Sequence, residues 1–103
     1  HDRMIAYTSQ MCHVVSNAFI KSPSAKFHRG YSAGSFRDFT RVSRLNEDMW
    51  TELFLENKEA LLNELDLLIN SLREYREAIV HDDADNLRAL LRDGRIAKEE
   101  AEK

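Results

Sequence analysis

The stretch that decides the fold is KEALLNELDLLINSLREYREAIV, residues 58–80. Its apolar residues recur every three or four positions, which is the spacing of one face of an α-helix. They are Leu61, Leu62, Leu65, Leu68, Ile69, Leu72, Tyr75, Ile79 and Val80. This stripe is wider than a strict coiled-coil seam, so it predicts a long amphipathic helix that packs against other elements.

The segments before this helix also follow helical spacing. Residues 2–20 predict a first helix, and residues 21–34, which contain Pro and Gly, predict a loop that is helical in part at most. Ser35 and Asp38 have the spacing of a capping box and predict a short helix to about residue 43.

Helix boundaries are also marked in the second half of the chain. Asn46 favours the N-cap of another helix, and Asn57 either caps a new helix or kinks the old one. Residues 81–83 interrupt the long stripe, and either Asp there can cap the last helix. We expect Gly94 to fray that helix and residues 98–103 to form a mobile tail. Because no strand-length alternation stands out, the sequence predicts an all-α fold of four to six helices.

Length and composition limit the class of protein. The chain has 103 residues, 43% hydrophobic and 32% charged, which suits one domain over 1–103 with a buried core. A single Cys excludes an internal disulfide framework and a Cys-rich zinc module, and it favours a cytoplasmic setting. The least charged run, residues 4–20, is too short and too polar for a membrane span.

Charge is divided unevenly along the chain. Residues 1–45 hold seven Lys and Arg against two Asp, whereas residues 46–103 hold eight against 16 Asp and Glu. The basic half favours an anionic ligand. Nucleic acid is disfavoured because the positive charges are scattered and the pI is about 5.8.

The first helix predicts an oligomer. It carries no charged residue over positions 4–20, and a helix without charge all round is buried on most sides. A domain of this size has difficulty burying both this helix and the long stripe, so we expect a homodimer. A monomeric bundle with the first helix at its centre is the alternative.

A polar stripe crosses the first helix. Ser9, His13 and Asn17 follow i, i+4, i+8 spacing, with Gln10 and Ser16 beside them. Buried polar groups must be hydrogen-bonded, so either the protein or a ligand satisfies this stripe. A Ser9–His13 nucleophile and base pair is disfavoured because no oxyanion loop accompanies it.

Metal and thiol chemistry are also disfavoured. The four histidines, His1, His13, His28 and His81, match no metal-ligand spacing, so no metal site is predicted. Cys12 is expected to be a small core residue.

A basic face follows the loop. Arg37, Arg41 and Arg44 share one helical face, and Asp38 and Arg41 form an i, i+3 pair. This pattern predicts either a carboxylate or phosphate clamp or a solvated basic face with one local ion pair.

Several motifs together resemble a known family. They are Ser-Gln-Met-Cys-His at 9–13, Asp-Phe-Thr-Arg at 38–41, Asn-Glu-Asp-Met-Trp at 46–50 and Phe-Leu-Glu-Asn-Lys at 54–58. Over residues 1–80 the chain resembles the C-terminal helical domain of prephenate dehydrogenase. The resemblance implies a domain that forms the dimer, follows an N-terminal Rossmann domain and closes one side of the substrate cleft.

The resemblance also implies an activity and a site. The activity is the NAD- or NADP-dependent oxidative decarboxylation of prephenate to 4-hydroxyphenylpyruvate, in tyrosine biosynthesis. Arg41 is implied to bind a substrate carboxylate, His13 to lie at the substrate and Asp38 to lie near the same cleft. With Ser9 and Gln10, these residues form the predicted substrate site.

At two positions the chain differs from the family motif from which the site residues are implied. Gln10 stands where the family motif has its first His, and Cys12 stands where it has Pro. No G-x-G-x-x-G motif is present, so we expect this chain to hold no cofactor site and no catalytic residue and to be inactive alone. A non-catalytic helical dimerisation module and a small chorismate mutase-like isomerase remain the alternative functions.

Overall fold

The structure, a computed structural model, describes residues 2–27 and 33–103. Every regular element in these ranges is helical, which confirms the predicted all-α class. None of the described helices combines the length and the apolar character that a membrane span requires. The loop predicted over 21–34 contains a 3-10 turn at Pro23–Phe27, and residues 28–32 of that loop lie outside the described residues.

The chain begins with a continuous helix that contains one π-helical turn. Helix α1 spans Asp2–Ile5, the π segment spans Ala6–Gln10, and helix α2 spans Met11–Phe19. We call residues 2–19 the N-terminal helix, and its extent confirms the prediction. Within the π turn the Met11 amide donates to the Ala6 carbonyl, five residues back rather than four.

A short helix and a tight turn follow. Helix α3 spans Gly34–Thr40 and continues as a 3-10 turn over Arg41–Ser43. The capping box predicted at Ser35 is wrong. The extended backbone of Ala33 (φ −91°, ψ 161°) sets the start of α3, so Ser35 lies inside the first turn and cannot adopt N-cap geometry.

Helix α4 spans Glu47–Glu56 and is capped as predicted. The Asn46 side chain accepts a 2.9 Å hydrogen bond from the Met49 amide. Helix α5 spans Lys58–Val80, the extent predicted from its stripe. Asn57 breaks the two helices apart, with φ −112° and ψ 32°, and its side-chain amide bonds to distant residues instead of capping either helix.

The link between α5 and helix α6, which spans Ala84–Ala101, is a short one. Asp82 adopts a left-handed conformation with φ 52°. Its amide donates to the Ile79 carbonyl at 3.2 Å and the Asp83 amide to the Ala78 carbonyl at 2.8 Å, which is a Schellman motif. Asp83 then caps α6 by accepting from the Asn86 amide at 3.0 Å, which confirms that an Asp of this segment is the cap.

The fraying expected at Gly94 is wrong, because α6 continues through it to Ala101. Gly94 lies beside the Tyr75 hydroxyl, which donates to the Leu90 carbonyl at 3.3 Å. This contact between α5 and α6 offsets the low helix propensity of Gly. The mobility of residues 98–103 stays a prediction.

The chain forms two compact units, residues 1–65 and 66–103. In the first, the buried side chains are Ala6, Gln10, Met11, Ser16, Leu61 and Glu64. In the described part of the second, Ala78 alone is buried. The assignment of residues 1–103 to one domain stays a prediction.

The expectation that the N-terminal helix is buried on most sides is wrong within this chain. Met4 is 59% exposed, Tyr7 is 55% exposed, and Cys12 is exposed rather than a core residue. The reason is geometric, since the buried positions Ala6, Gln10, Met11 and Ser16 follow one side of the helix only.

Candidate functional site

Most of the polar stripe on the N-terminal helix is satisfied by the protein itself. The Ser16 hydroxyl donates to the Phe39 carbonyl at 2.7 Å, and the Asn17 amide donates to the Ser43 carbonyl at 2.9 Å. These two bonds tie the helix to α3 and to the turn after it. Among the described residues no buried side-chain nitrogen or oxygen lacks a partner.

Gln10 is the most thoroughly engaged member of the stripe. Its Nε2 donates to the Leu53 carbonyl at 3.2 Å, and its Oε1 accepts from Asn57 Nδ2 at 2.7 Å. With only 5% of its surface exposed, Gln10 is a packing residue at the end of α4. The substrate contact expected of Gln10 has no support in this geometry.

His13 is placed differently from its neighbours. Its Nδ1 lies 2.8 Å from the Ser9 carbonyl oxygen, and its ring stacks on Trp50 at 4.1 Å between centroids and 23° between planes. A carbonyl can only accept, so the bond assigns the Nδ1 proton to His13 and leaves Nε2 free for another partner. Among the described residues no hydrogen bond to Nε2 is formed. The imidazole is therefore oriented by two contacts and keeps one polar atom for a ligand.

A cleft opens beside His13. Its volume is about 340 Å³, within the range of small-molecule sites, and it runs between the second half of the N-terminal helix and α4. Its aromatic wall is Trp50 with Phe54, whose ring centroid lies 5.4 Å from that of Trp50. Its polar lining residues are His13, Asn17, Lys21, Glu47 and Thr51.

Local sequence explains how these side chains meet. His13, Asn17 and Lys21 follow i, i+4, i+8 spacing, and the Lys21 amide still bonds to the Ala18 carbonyl just after α2 ends. On the facing helix, the Asn46 cap starts α4 so that Trp50 and Phe54 lie one turn apart on one side.

The structure brings together only part of the predicted substrate site. Ser9 is half-buried and supplies its carbonyl to His13. Asp38 and Arg41 are exposed and are absent from the lining of the His13 cleft. No ion pair joins them, so the local Asp38–Arg41 pair is wrong. Arg41 begins the 3-10 turn instead of continuing α3, which changes the spacing between the two side chains.

Two cleft residues were missed by the sequence reasoning. Trp50 was named only as part of the motif over 46–50, and Lys21 was assigned to the loop. The signal for Lys21 was available, because it is the next i+4 step after Asn17. For Trp50 the sequence holds no signal, since its stacking on His13 joins residues 37 positions apart.

Metal ligands do not gather in the described residues. No group of three or more His, Cys, Asp or Glu in residues 2–27 and 33–103 could hold a metal ion. His1 and His28 of the disfavoured four-histidine set lie outside the described residues.

The chain matches a known protein family over most of its length. A family model described as the dimerization domain of prephenate dehydrogenase matches residues 1–93. That range includes the His13 cleft, α3, α4, α5 and the first half of α6.

Curated relatives are dehydrogenases. The chain is 40% identical over 93 residues to a cyclohexadienyl dehydrogenase of Zymomonas mobilis, an alignment that covers 84% of this chain and 32% of that protein. It is 27% identical over 92 residues to a prephenate dehydrogenase of Bacillus subtilis, covering 84% of this chain and 25% of the relative. The chain thus spans a third or less of the length of these relatives.

Two solved structures share the fold over nearly the whole chain. An arogenate dehydrogenase of Synechocystis has a TM-score of 0.84 at 25% identity, covering 98% of this chain and 39% of that one. A prephenate dehydrogenase of A. aeolicus, in complex with hydroxyphenyl propionate and NAD+, has a TM-score of 0.78 at 28% identity, covering 98% and 37%.

Proposed function

Because the chain belongs to the family of prephenate dehydrogenase dimerization domains, we propose that it forms the dimer and one wall of the substrate cleft in such an enzyme. The reaction is the oxidative decarboxylation of prephenate to 4-hydroxyphenylpyruvate, a step of tyrosine biosynthesis. A Rossmann domain preceding this chain supplies NAD or NADP, and the complete enzyme works in the cytoplasm.

The observation that carries the substrate assignment is the oriented imidazole of His13. The Ser9 carbonyl and the Trp50 ring hold it at the edge of the cleft. A cyclohexadienyl ring fits against an aromatic wall, and the free Nε2 can bond to a polar group on that ring. Prephenate combines such a ring with two carboxylates, which suits a cleft that also presents Asn17 and Lys21.

Arg41 is proposed to bind one substrate carboxylate, with Asp38 nearby. Arg41 is exposed, and the turn that it begins is tied to the cleft because the Ser43 carbonyl accepts from Asn17. Arg41 forms no ion pair with the residues that the structure describes, and a guanidinium can meet a carboxylate with two parallel hydrogen bonds.

The kinetics of the complete enzyme test this assignment. Arg41 is exposed in this chain, and we propose that the cofactor domain closes the cleft around the bound substrate. Losing one partner of a charged pair in a closed cleft costs roughly 2–5 kcal/mol, so Arg41→Ala should lower kcat/KM for prephenate about 30-fold or more. Arg41→Lys should recover only part of the loss, because Lys cannot form the bidentate pair. Arg44→Ala, on the exposed residue after the turn, is the matched control and should change little.

Lys21→Ala separates two positions for the carboxylate. If Lys21→Ala lowers kcat/KM strongly and Arg41→Ala does not, the carboxylate lies in the His13 cleft and the role of Arg41 is wrong. If His13→Ala, Lys21→Ala and Arg41→Ala are all harmless, the domain is a dimerisation module without a substrate role, as the internal bonding of Gln10, Ser16 and Asn17 would also allow.

A homodimer is supported by the apolar side chains that this chain leaves uncovered. Leu72 is 55% exposed, Ile79 is 61% exposed and Leu91 is 58% exposed, and burying such groups against a second copy is favourable. Sedimentation at micromolar concentration should give about 24 kDa, twice the chain mass of 12.0 kDa. A 12.0 kDa species at every concentration would refute the dimer.

The chain alone is proposed to be inactive, since the cofactor domain is assigned to another part of the enzyme. Incubation with prephenate and either NAD+ or NADP+ should give no increase in absorbance from reduced cofactor. Turnover by the 103-residue chain would show that this division of labour is wrong.

A further inference from the structure

Two amide side chains, the buried Gln10 and the half-buried Asn57, join the N-terminal helix to the end of α4. Gln10 donates to the Leu53 carbonyl at 3.2 Å and accepts from Asn57 Nδ2 at 2.7 Å. Asn57 Nδ2 also donates to the Asp2 carbonyl at 3.0 Å, at the start of the same helix. We call Gln10 and Asn57 the amide clamp.

On both helices, the bond that the clamp residue Gln10 makes to Leu53 lies one helical turn from the stacked rings of the cleft. Gln10 precedes His13 by three residues on the N-terminal helix, and Trp50 precedes Leu53 by three residues on α4. Residues three apart lie on the same side of a helix, so the clamp and the His13–Trp50 stack are neighbouring contacts between the same two helices.

Because hydrogen bonds are directional, the amide clamp restricts the relative position of the two helices more than an apolar contact would. Apolar side chains can slide over one another with little change in energy, whereas a buried amide that loses its partner leaves a donor or an acceptor unsatisfied. Both groups of the Gln10 amide are used, and 5% of the residue is exposed, so a shift of α4 would break two partly buried hydrogen bonds and leave the buried Gln10 amide without these partners.

We infer that Gln10 and Asn57 are positioning residues that hold Trp50 against His13 and thereby keep the cleft in shape. This inference rests on the proposed function for its effect on substrate, and on the geometry alone for its effect on the rings. Gln10 then has a positioning role, whereas the geometry gives no support to the substrate contact that the sequence predicted for it.

Trp50 provides a direct readout, because it is the only Trp in the chain. The emission of an indole depends on the group stacked against it, so His13→Ala should change the emission of Trp50. In a Gln10→Met background, which keeps the side-chain length but removes both bonds, most of that response to His13→Ala should disappear. Asn57→Ser should act in the same direction and guards against a fold defect specific to Met.

Tyr75→Phe is the matched control. It also removes one hydrogen bond from a side chain to a distant carbonyl while preserving shape, and it lies in the other compact unit. The control should keep the full response to His13→Ala. Circular dichroism of each variant shows that the helices remain.

The same variants in the complete enzyme give the second readout. Displacing a substrate-positioning group by about 1 Å can cost up to a hundredfold, so Gln10→Met should raise KM for prephenate about tenfold. The KM for the nicotinamide cofactor should stay unchanged, as should both constants for Tyr75→Phe.

The outcomes separate the clamp from the substrate role. Loss of the fluorescence response with a raised KM supports both. Loss of the response with normal kinetics supports the clamp and refutes the substrate role of the cleft. A response that survives Gln10→Met, or one that Tyr75→Phe also abolishes, overturns the clamp whatever the kinetics show.

Discussion

Two breaks between helices lie in the second half of the chain. One is held by long-range hydrogen bonds and the other by short-range ones. At Asn57, between α4 and α5, the side chain bonds to Asp2 and Gln10, which lie 55 and 47 residues away. At Asp82 and Asp83, between α5 and α6, each hydrogen bond reaches no further than five residues.

The two breaks show that a helix end can be fixed by neighbouring residues alone or by contacts with residues far away in the chain. The link at Asp82 and Asp83 is specified by a Schellman motif and an N-cap, both of which depend on neighbouring residues only. The break at Asn57 depends on a partner brought close by the fold. A substitution at Asn57 should therefore disturb the first unit as a whole, whereas substitutions at the second break should act on one helix end.

The largest expected effect is that of Asn57→Ala. It removes two hydrogen bonds and leaves the buried Oε1 of Gln10 without this donor, at a cost of about 1–3 kcal/mol for the orphaned group. We expect the free energy of unfolding to fall by about 2–3 kcal/mol, measured by urea denaturation at one fixed protein concentration.

The matched control for that substitution is Asn63→Ala, at an exposed amide on α5. It should change the free energy of unfolding by less than about 0.5 kcal/mol, as is usual at surface positions. Equal effects of the two substitutions would mean that the long-range bonds of Asn57 contribute nothing.

A smaller loss is expected from Asp83→Ala. This substitution removes the oxygen that accepts from the Asn86 amide and should cost about 1 kcal/mol, the usual value for a lost N-cap. Asp83→Asn keeps an acceptor and should retain most of the stability in the same denaturation experiment. A loss for Asp83→Ala as large as that for Asn57→Ala would contradict the distinction between local and tertiary breaks.

The smallest effect has the opposite sign. Asp82 holds a left-handed conformation that Gly adopts without strain, so Asp82→Gly should raise the free energy of unfolding by about 0.5 kcal/mol. The gain is modest because Gly also has more freedom in the unfolded chain. The thermal unfolding midpoint of the chain, followed by helical circular dichroism, should shift slightly upward. A downward shift would mean that the Asp82 side chain stabilises the link.

Prediction from sequence succeeded where the information was local. The stripe over 58–80, the cap at Asn46 and the cap at Asp83 each depend on residues within one or two turns, and each is confirmed. It failed at Gly94, which stays helical where α5 packs against it through Tyr75. It also failed at Ser35, which lies inside a helix whose start is set by the backbone of Ala33.

The candidate site shows the same division. The polar stripe was visible as a pattern, but the pattern does not say which of its members the protein satisfies. Gln10 uses its amide in hydrogen bonds to the end of α4, whereas Nε2 of His13 forms no hydrogen bond with any residue that the structure describes. That distinction depends on where α4 lies, and the sequence around Gln10 and His13 holds no information on it.

The number of residues between the two partners of a hydrogen bond also predicts an order of folding. The bond from Tyr75 to Leu90 closes a segment of 15 residues, whereas the bond from Asn57 to Asp2 closes one of 55. Closing the longer segment costs more chain entropy, so the α5–α6 hairpin should form before the N-terminal helix docks on α4. Pulsed hydrogen exchange should then protect the amides of residues 66–101 first, and earlier protection of the N-terminal helix would reverse that order.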